Sequence, residues 1–169
     1  MTRPTLLALC LILAACAVPD GTPDTGAAGY TISADGAGGL RAQTPFTVPA
    51  MERAFPGLEV ITVAEGDMPA FHIREPGSTA PLYIVTPDWT RGYAGAVATR
   101  SASVTGPDGI RAGVTRYSEL AESWRSDCRA EPDLRDGPIT CERPGIRLSF
   151  PASRDDPVLA EIVFLPPLP

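Results

Sequence analysis

The chain of 169 residues contains no lysine and no asparagine, and it has a single histidine. Without asparagine there is no N-glycosylation sequon. The formal net charge is −6, and no two arginines stand side by side, so the sequence lacks the basic runs that bind phosphate backbones. We therefore expect no nucleic-acid partner.

Long hydrophobic runs are also scarce. Arg3 precedes an apolar run at residues 6–13, and two alanines follow it, which is typical of a secretory signal peptide at residues 1–15. The run is shorter than the roughly 20 residues that a membrane-spanning helix needs. The stretch LAAC, which ends at Cys16, resembles the lipobox of bacterial lipoproteins. An ordinary signal peptide followed by a chance cysteine is the alternative.

The lipobox resemblance implies that Cys16 carries lipid after cleavage. Several acyl chains together hold a protein stably on a membrane without a transmembrane helix. In enterobacterial lipoproteins a small residue after the cysteine, here Ala17, implies delivery to the periplasmic face of the outer membrane. Residues 17–29 are rich in Pro, Gly, Asp and Thr, and they predict a flexible tether of up to about 45 Å. Residues 30–169 are expected to form one periplasmic domain.

Four cysteines are present. Cys10 would leave with the signal peptide and Cys16 would carry the lipid, so Cys128 and Cys141 remain. An even pair in an oxidising compartment favours a disulfide, and the polar loop between them, with Asp-Gly at its tip, predicts a hairpin. The alternative is a redox or zinc pair, but the spacing is not C-x-x-C and no histidine is near. We expect no metal.

Short segments bounded by Pro and Gly predict strands from residue 30 onward. Thr47 is expected to cap a helix that begins near Pro49, and Thr115 or Ser118 to cap a second helix. The fold class is therefore α+β, a largely antiparallel sheet with two short helices on one face. The predicted strands are YTISA, LEVITVAEG, PAFHIRE, PLYIVTP, VATRSASV, IRLSF and LAEIVFL.

Two stretches of the sequence are nearly the same. GLRAQTPF begins at Gly39, and GIRAGVTR begins at Gly109. With one residue skipped, the apolar pair Leu120 and Trp124 corresponds to Met51 and Phe55. The match predicts two repeats, residues 39–105 and 109–165, that share one core. A chance match is the alternative.

Residues with catalytic potential are few. His72 could act as a general base, but no G-x-S-x-G motif supplies a nucleophile. The carboxylates fall in scattered groups that are typical of solvated turns and helix faces. The Gly-rich ADGAGG lacks the spacing and the lysine of phosphate-binding loops. We expect a non-enzymatic protein without a cofactor.

The segment TPDWTRGYAG is the candidate binding loop. It places Trp89, Arg91 and Tyr93 together between Pro and Gly. Loops carry function, and Trp, Tyr and Arg dominate binding hot spots. The alternative is that Trp89 folds back onto the core.

Four features together resemble a known family. The lipobox, the start ADGAGGLRAQTPF, the FPG after the first helix and the CRA…GPITC hairpin before IRLSF resemble the uncharacterised envelope lipoproteins typified by the RpoE-regulated lipoprotein YfeY. The resemblance covers residues 30–165. It implies a cell-envelope lipoprotein linked to envelope stress, and it supplies no catalytic residue.

The function expected from the sequence is therefore a membrane-anchored interaction or assembly accessory with an envelope protein as partner. Three alternatives stay open. One is a binding protein that resembles lysozyme inhibitors, in which the loop enters an enzyme cleft. The others are a hydrolase that acts on the wall or on lipid, and a module that binds a small apolar molecule.

Overall fold

The computed structural model describes residues 29–130, 137–153 and 155–167. The predicted signal peptide, Cys16 and residues 17–28 of the tether lie outside these ranges, as does the tip of the cysteine hairpin. Within the described ranges, no helix has the length and apolar character to cross a bilayer.

An antiparallel sheet of eight strands forms the body of the domain, in the order β3-β4-β5-β6-β10-β9-β8-β7, beside a small two-stranded sheet of β1 and β2. Together with the short helices, it confirms the predicted α+β class. The elements are β1 Ile32–Ser33, β2 Gly36–Ala37, α1 Val48–Ala54, β3 Glu59–Glu65, β4 Met68–Arg74, β5 Tyr83–Asp88, β6 Tyr93–Thr99, α2 Glu122–Arg125, β7 Cys128–Ala130, β8 Ile139–Arg143, β9 Ile146–Phe150 and β10 Glu161–Phe164.

The main core lies between one face of the large sheet and the elements that cover it. Helix α1 begins one residue before Pro49, with Thr47 at the N-cap position, although the threonine side chain makes no cap hydrogen bond. Met51 and Phe55 are both buried, as their shared helix face predicts. Burial of each such side chain contributes about 1.5–3 kcal/mol to stability.

The second helix is shorter than predicted. A 3₁₀ turn at Tyr117–Glu119 comes first, and α2 follows after a break. Neither of the predicted caps acts as one, because Thr115 accepts a hydrogen bond from the Arg111 amide and Ser118 binds Asp156. The expected burial of Leu120 and Trp124 is nevertheless confirmed.

Strand β6 lies earlier in the chain than the predicted strand VATRSASV. It begins at Tyr93 and ends at Thr99. The side chain of Thr99 donates to the Leu82 carbonyl at 2.7 Å and accepts from the Ser101 amide at 3.2 Å. Because these bonds hold the chain in a local turn, Arg100 to Val104 leave the sheet.

The large sheet consists of two halves of four strands that meet at the β6–β10 pair. Each half runs as a helix followed by four antiparallel strands, first α1-β3-β4-β5-β6 and then α2-β7-β8-β9-β10. The fourth strands of the two halves, β6 and β10, are adjacent, and the first strands, β3 and β7, lie at the two edges of the sheet. The two halves are arranged as by an approximate twofold axis.

Equivalent hydrogen bonds, some to a threonine hydroxyl and some between backbone groups, recur in both halves. The Arg41 amide donates to Thr44 Oγ1 at 3.1 Å, and the Arg111 amide donates to Thr115 Oγ1 at 2.9 Å. These equivalences support the duplication hypothesis for residues 39–105 and 109–165, which stays a prediction. Two further equivalent pairs are Phe46 N to Gly92 O with Tyr117 N to Pro157 O, and Ala94 N to Thr44 O with Leu159 N to Thr115 O.

The cysteine hairpin is confirmed. Cys128 on β7 and Cys141 on β8 are directly opposite one another and form a disulfide. Cys141 is fully buried in the main core. The bond therefore ties the outermost strand of the second half to the core.

Replacing both cysteines by serine should lower the free energy of unfolding by about 2–3 kcal/mol, because the disulfide restricts the unfolded chain. Urea denaturation of the full chain without reductant measures this loss. As a control, reductant should destabilise the parent protein and leave the double variant unchanged. Equal unfolding midpoints for the parent and the variant would contradict the prediction.

Candidate functional site

The candidate site is the tight turn between β5 and β6. Residues 86–95 were predicted as one loop, but both of its ends belong to strands, so only Trp89 to Gly92 lie outside the sheet. We call residues 88–93 the Trp89 turn. It brings Trp89, Arg91 and Tyr93 together at one end of the sheet.

Asp88 organises the turn. Its Oδ1 accepts hydrogen bonds from the Thr90 amide at 2.9 Å and the Thr90 hydroxyl at 2.7 Å. Its backbone carbonyl accepts from the amides of Arg91 and Gly92, and Gly92 has the left-handed φ of 72° that the turn requires. The guanidinium of Arg91 lies 3.7 Å from Asp88 Oδ2.

The hydrogen bonds to Asp88 favour its charged form. Those from the Thr90 hydroxyl and then the Thr90 amide lower the pKa of the Asp88 carboxyl, and the charge of Arg91 adds to the effect. Sequence reasoning missed Asp88. The Asp-x-Thr spacing, which is typical of side-chain-closed turns, is the signal that could have revealed it.

Trp89 lies at the tip of the turn and is 65% exposed. The alternative expectation, that it folds back onto the core, is therefore wrong. Two other exposed apolar side chains belong to this end of the sheet: Met68 starts β4 beside the end of β5, and Val48 lies two residues after Phe46, whose amide binds the Gly92 carbonyl. We call Val48, Met68 and Trp89 the apolar tip.

The Trp89 turn encloses little space. The crevice beside it, lined by Gln43, Arg91, Tyr93 and Pro166, holds only about 40 Å³. Pockets for organic ligands are several times larger, at roughly 300–1,000 Å³. The turn therefore presents a projecting surface, the geometry that suits contact with another macromolecule.

The N-terminal end of the described domain lies at the opposite end of the sheet. The hydroxyl of Tyr30 donates to Glu75, which follows β4, at 2.8 Å, and that of Tyr83, at the start of β5, donates to the Thr31 carbonyl at 3.0 Å. Burial raises the pKa of Tyr83 to about 12, so this phenol keeps its proton. Strand β5, at about 3.3 Å per residue, separates the two ends by roughly 17 Å.

A mostly apolar cleft of about 330 Å³ lies beside this N-terminal end. Phe55, Leu58 and Tyr83 line it, together with Gly29 and the backbone of Gly38. Its size falls at the lower limit for small-ligand sites. It is the feature to which the small-ligand alternative would apply.

His72 lies on the face of the sheet away from the main core, opposite to buried Phe71 and Ile73, as strand alternation predicts. Its Nε2 is 2.6 Å from Glu65 Oε1. Among the described residues, the His72 side chain bonds to Glu65, and it has no hydrogen bond to a serine or threonine hydroxyl that could act as a nucleophile. Ser101 shares the same shallow cleft of about 370 Å³, but it follows β6, two strands and roughly 10 Å away.

Two carboxylates of the second half accept hydrogen bonds from nearby backbone or hydroxyl groups. Asp156 accepts from the Ser118 hydroxyl at 2.6 Å and the Ser118 amide at 2.8 Å, which lowers the pKa of its carboxyl. Glu119 Oε2 accepts from the Arg116 amide at 2.8 Å. Asp133 and Asp136 lie outside the described residues. Across the described ranges, no three metal-binding side chains of the His, Cys, Asp or Glu type converge.

Comparison with solved structures finds a related fold. The crystal structure of the uncharacterized protein yfeY from Escherichia coli matches with a TM-score of 0.56 and 16% sequence identity, over 80% of this chain and 99% of that chain. No protein-family model matches the chain, and no curated protein matches it. At this identity the likeness concerns the fold alone. The protein has a YfeY-like fold.

Thr90→Val should raise the pKa of Asp88 toward its ordinary value, because it removes the hydroxyl that donates to the carboxylate. NMR titration of the side-chain carboxyl measures the change. Since the pKa of Asp88 is lowered in the folded turn, its stabilising contribution is present above the ordinary pKa and is lost as pH falls through the lowered value.

The matched control is Ser118→Ala, which removes the equivalent hydroxyl from Asp156. It should raise the pKa of Asp156 and leave that of Asp88 unchanged. An Asp88 titration that is the same in Thr90→Val and in the parent would mean that the Thr90 hydroxyl does not organise the turn.

Proposed function

We propose that this protein is a cell-envelope lipoprotein, anchored through Cys16 to the periplasmic face of the outer membrane, that acts as a non-enzymatic interaction or assembly accessory. The observation that carries the proposal is the exposure of Trp89 at the end of the sheet opposite the predicted anchor. The resemblance to RpoE-regulated lipoproteins adds a link to envelope stress.

The anchor rests on the sequence. Residues 6–16 combine a short apolar run with a lipobox, and residues 17–29 have the composition of a tether. The described domain begins at Gly29, beside the cleft and remote from the Trp89 turn. The flexible tether predicted at this end leaves the apolar tip accessible to a partner.

The chemistry of the tip favours a protein partner. A tryptophan that is 65% exposed leaves a large apolar side chain in water, which burial in a complex would relieve. Arg91 and Tyr93 flank it, and these residue types dominate protein interfaces. Asp88 preorganises the turn, so little conformational entropy is lost on binding.

The geometry around His72 supports a non-enzymatic role. The histidine forms an ion-pair-like contact with Glu65 across the β3–β4 hairpin. A general base must lie within hydrogen-bond reach of the proton that it removes, and among the described residues the His72 imidazole contacts a carboxylate rather than a hydroxyl.

Cys16→Ser should abolish the lipid modification and the outer-membrane location of the protein, because the thiol that would take the lipid is lost. Mass spectrometry of the mature parent should show an added diacylglyceryl group on the N-terminal peptide, and fractionation of the envelope should place it in the outer membrane. A parent chain without lipid on Cys16 would refute the anchor.

Trp89→Ala should abolish crosslinking of the anchored protein to a protein partner in the intact envelope. The change should leave the free energy of unfolding within about 0.5 kcal/mol of the parent, because the side chain is exposed. A photoreactive amino acid at exposed Val48, which leaves Trp89, Arg91 and Tyr93 in place, and mass spectrometry identify the adduct. The matched control is Val114→Ala, since Val114 is an apolar residue, 45% exposed, in a turn outside the sheet and in the second half of the domain.

The proposal predicts one reproducible protein adduct that is lost in Trp89→Ala and kept in Val114→Ala. If the adduct is a lysozyme, inhibition of that enzyme by the purified protein would identify the accessory as an inhibitor. Crosslinking that is indifferent to Trp89, or that yields only lipid and wall fragments, would overturn the interaction role.

A further inference from the structure

Strand β3 forms one lateral edge of the large sheet. It pairs with β4 without interruption over seven residues, from Glu59 opposite Arg74 to Glu65 opposite Met68. Among the described residues, no backbone hydrogen bond joins β3 to a segment other than β4. With respect to the described part of the chain, the backbone donors and acceptors on its second side therefore have no partner.

The turn that follows β3 shows which amides face outward. Gly66 has a φ of 60° in the two-residue turn between Glu65 and Met68, which is typical of tight hairpins. The residues that flank such a turn bond to each other, and bonding alternates along the strand. The amides of Val60, Thr62 and Ala64 therefore point to the free side.

Sheet edges in monomeric proteins are usually protected by proline, by charged side chains such as lysine, by bulges or by short length. Strand β3, EVITVAE, has no proline, lysine or bulge, it carries charge only at its two ends, and it is long for an edge. Strand β3 therefore has the form that accepts an added strand.

We infer that β3 is a docking site for an extended segment of a partner protein, which adds to the sheet as a further strand and carries basic residues at both ends. Glu59 and Glu65 stand at the two ends of β3, with side chains 40% and 35% exposed, and Asp67 follows in the turn. Arg74 and His72 each bind one oxygen of these glutamates from β4. The strand itself has no basic residue.

Charge also argues against a second copy as the occupant. In a full antiparallel pairing of β3 with itself, Glu59 of one copy would lie opposite Glu65 of the other at both ends. Like charges directly opposite one another destabilise a strand pair. The tether is also a poor candidate, since Pro19 and Pro23 remove two backbone donors from its residues 17–28.

Two synthetic peptides test the inference on the full chain: RVTVTVR and its acidic counterpart EVTVTVE. Amide NMR titration should show that RVTVTVR shifts the resonances of Val60, Thr62 and Ala64. The acidic peptide should bind about tenfold more weakly, because two cross-strand charge pairs change sign. Thr62→Pro, which removes an outward amide, should abolish binding, whereas Thr62→Ala should retain it.

Thr62→Pro is a valid test only if its near-ultraviolet circular dichroism spectrum matches that of the parent protein. If it fails to fold, Glu59→Gln with Glu65→Gln replaces it and should reduce the preference for RVTVTVR. Equal binding of both peptides, or shifts away from β3, would overturn the inference. Concentration-dependent dimers that Thr62→Pro prevents would assign the edge to a second copy. Slow hydrogen exchange at the amides of Val60, Thr62 and Ala64 in the free monomer would mean that the chain's own tether occupies the edge. Both results refute a partner segment, and neither depends on Trp89.

Discussion

The pairing of β6 with β10 is the contact on which the rest of the fold depends. It joins two meanders of four strands into one sheet, and it is entirely long-range in sequence. Val97 and Ile162, on these two strands, are completely buried. A four-stranded half with one helix would leave its apolar face in water, so the main core closes only when both halves meet.

The register of this central pair fits the approximate twofold axis. The hydrogen bonds to Thr44 and Thr115 make Ala94 equivalent to Leu159, and the same spacing makes Val97 equivalent to Ile162 and Thr99 equivalent to Phe164. In the β6–β10 pair, each of these last four residues lies opposite the equivalent of a different one. Val97 is opposite Phe164 and Thr99 is opposite Ile162, with Ala98 opposite Val163 at the centre. One register therefore satisfies both halves at once, as expected where two like units associate around an axis.

The two halves differ at one equivalent place. Gly38 and Asp108 both have a φ of 54°. In the second half the Asp108 carboxylate accepts from the Trp124 indole at 2.9 Å, and the guanidinium of Arg143 lies 3.9 Å from the centre of the indole ring. In the first half a glycine and the smaller Phe55 leave the 330 Å³ cleft. The first half is thus open where the predicted tether would leave the domain, and the second half is filled.

The sequence predicted most of the local structure but not the order of the strands. Alternation of apolar residues and Pro or Gly boundaries located β3, β4, β5 and β9 closely, and the cysteine pair located the β7–β8 hairpin. The β6–β10 pairing leaves no local signal, because it joins strands far apart in the chain. The end of β6 was misplaced because a single side chain, Thr99, turns the backbone out of the sheet.

The residue types of the candidate site could be predicted from the sequence, but their arrangement in space could not. Trp, Arg and Tyr close together in a Pro/Gly-rich segment indicated a binding surface, and the structure brings them into one turn. Whether Trp89 would face water or the core depends on how β5 and β6 sit between their neighbours, which the sequence does not encode locally. The lipid anchor is the reverse case, since its signal lies wholly in residues outside the described domain.

The direction of β3 connects the two ends of the molecule. Leu58, just before the strand, lines the cleft beside Gly29, whereas Glu65 ends the strand near the apolar tip. Seven residues at about 3.3 Å each span roughly 23 Å. A segment paired along this edge would thus extend from the tether side of the domain toward Trp89.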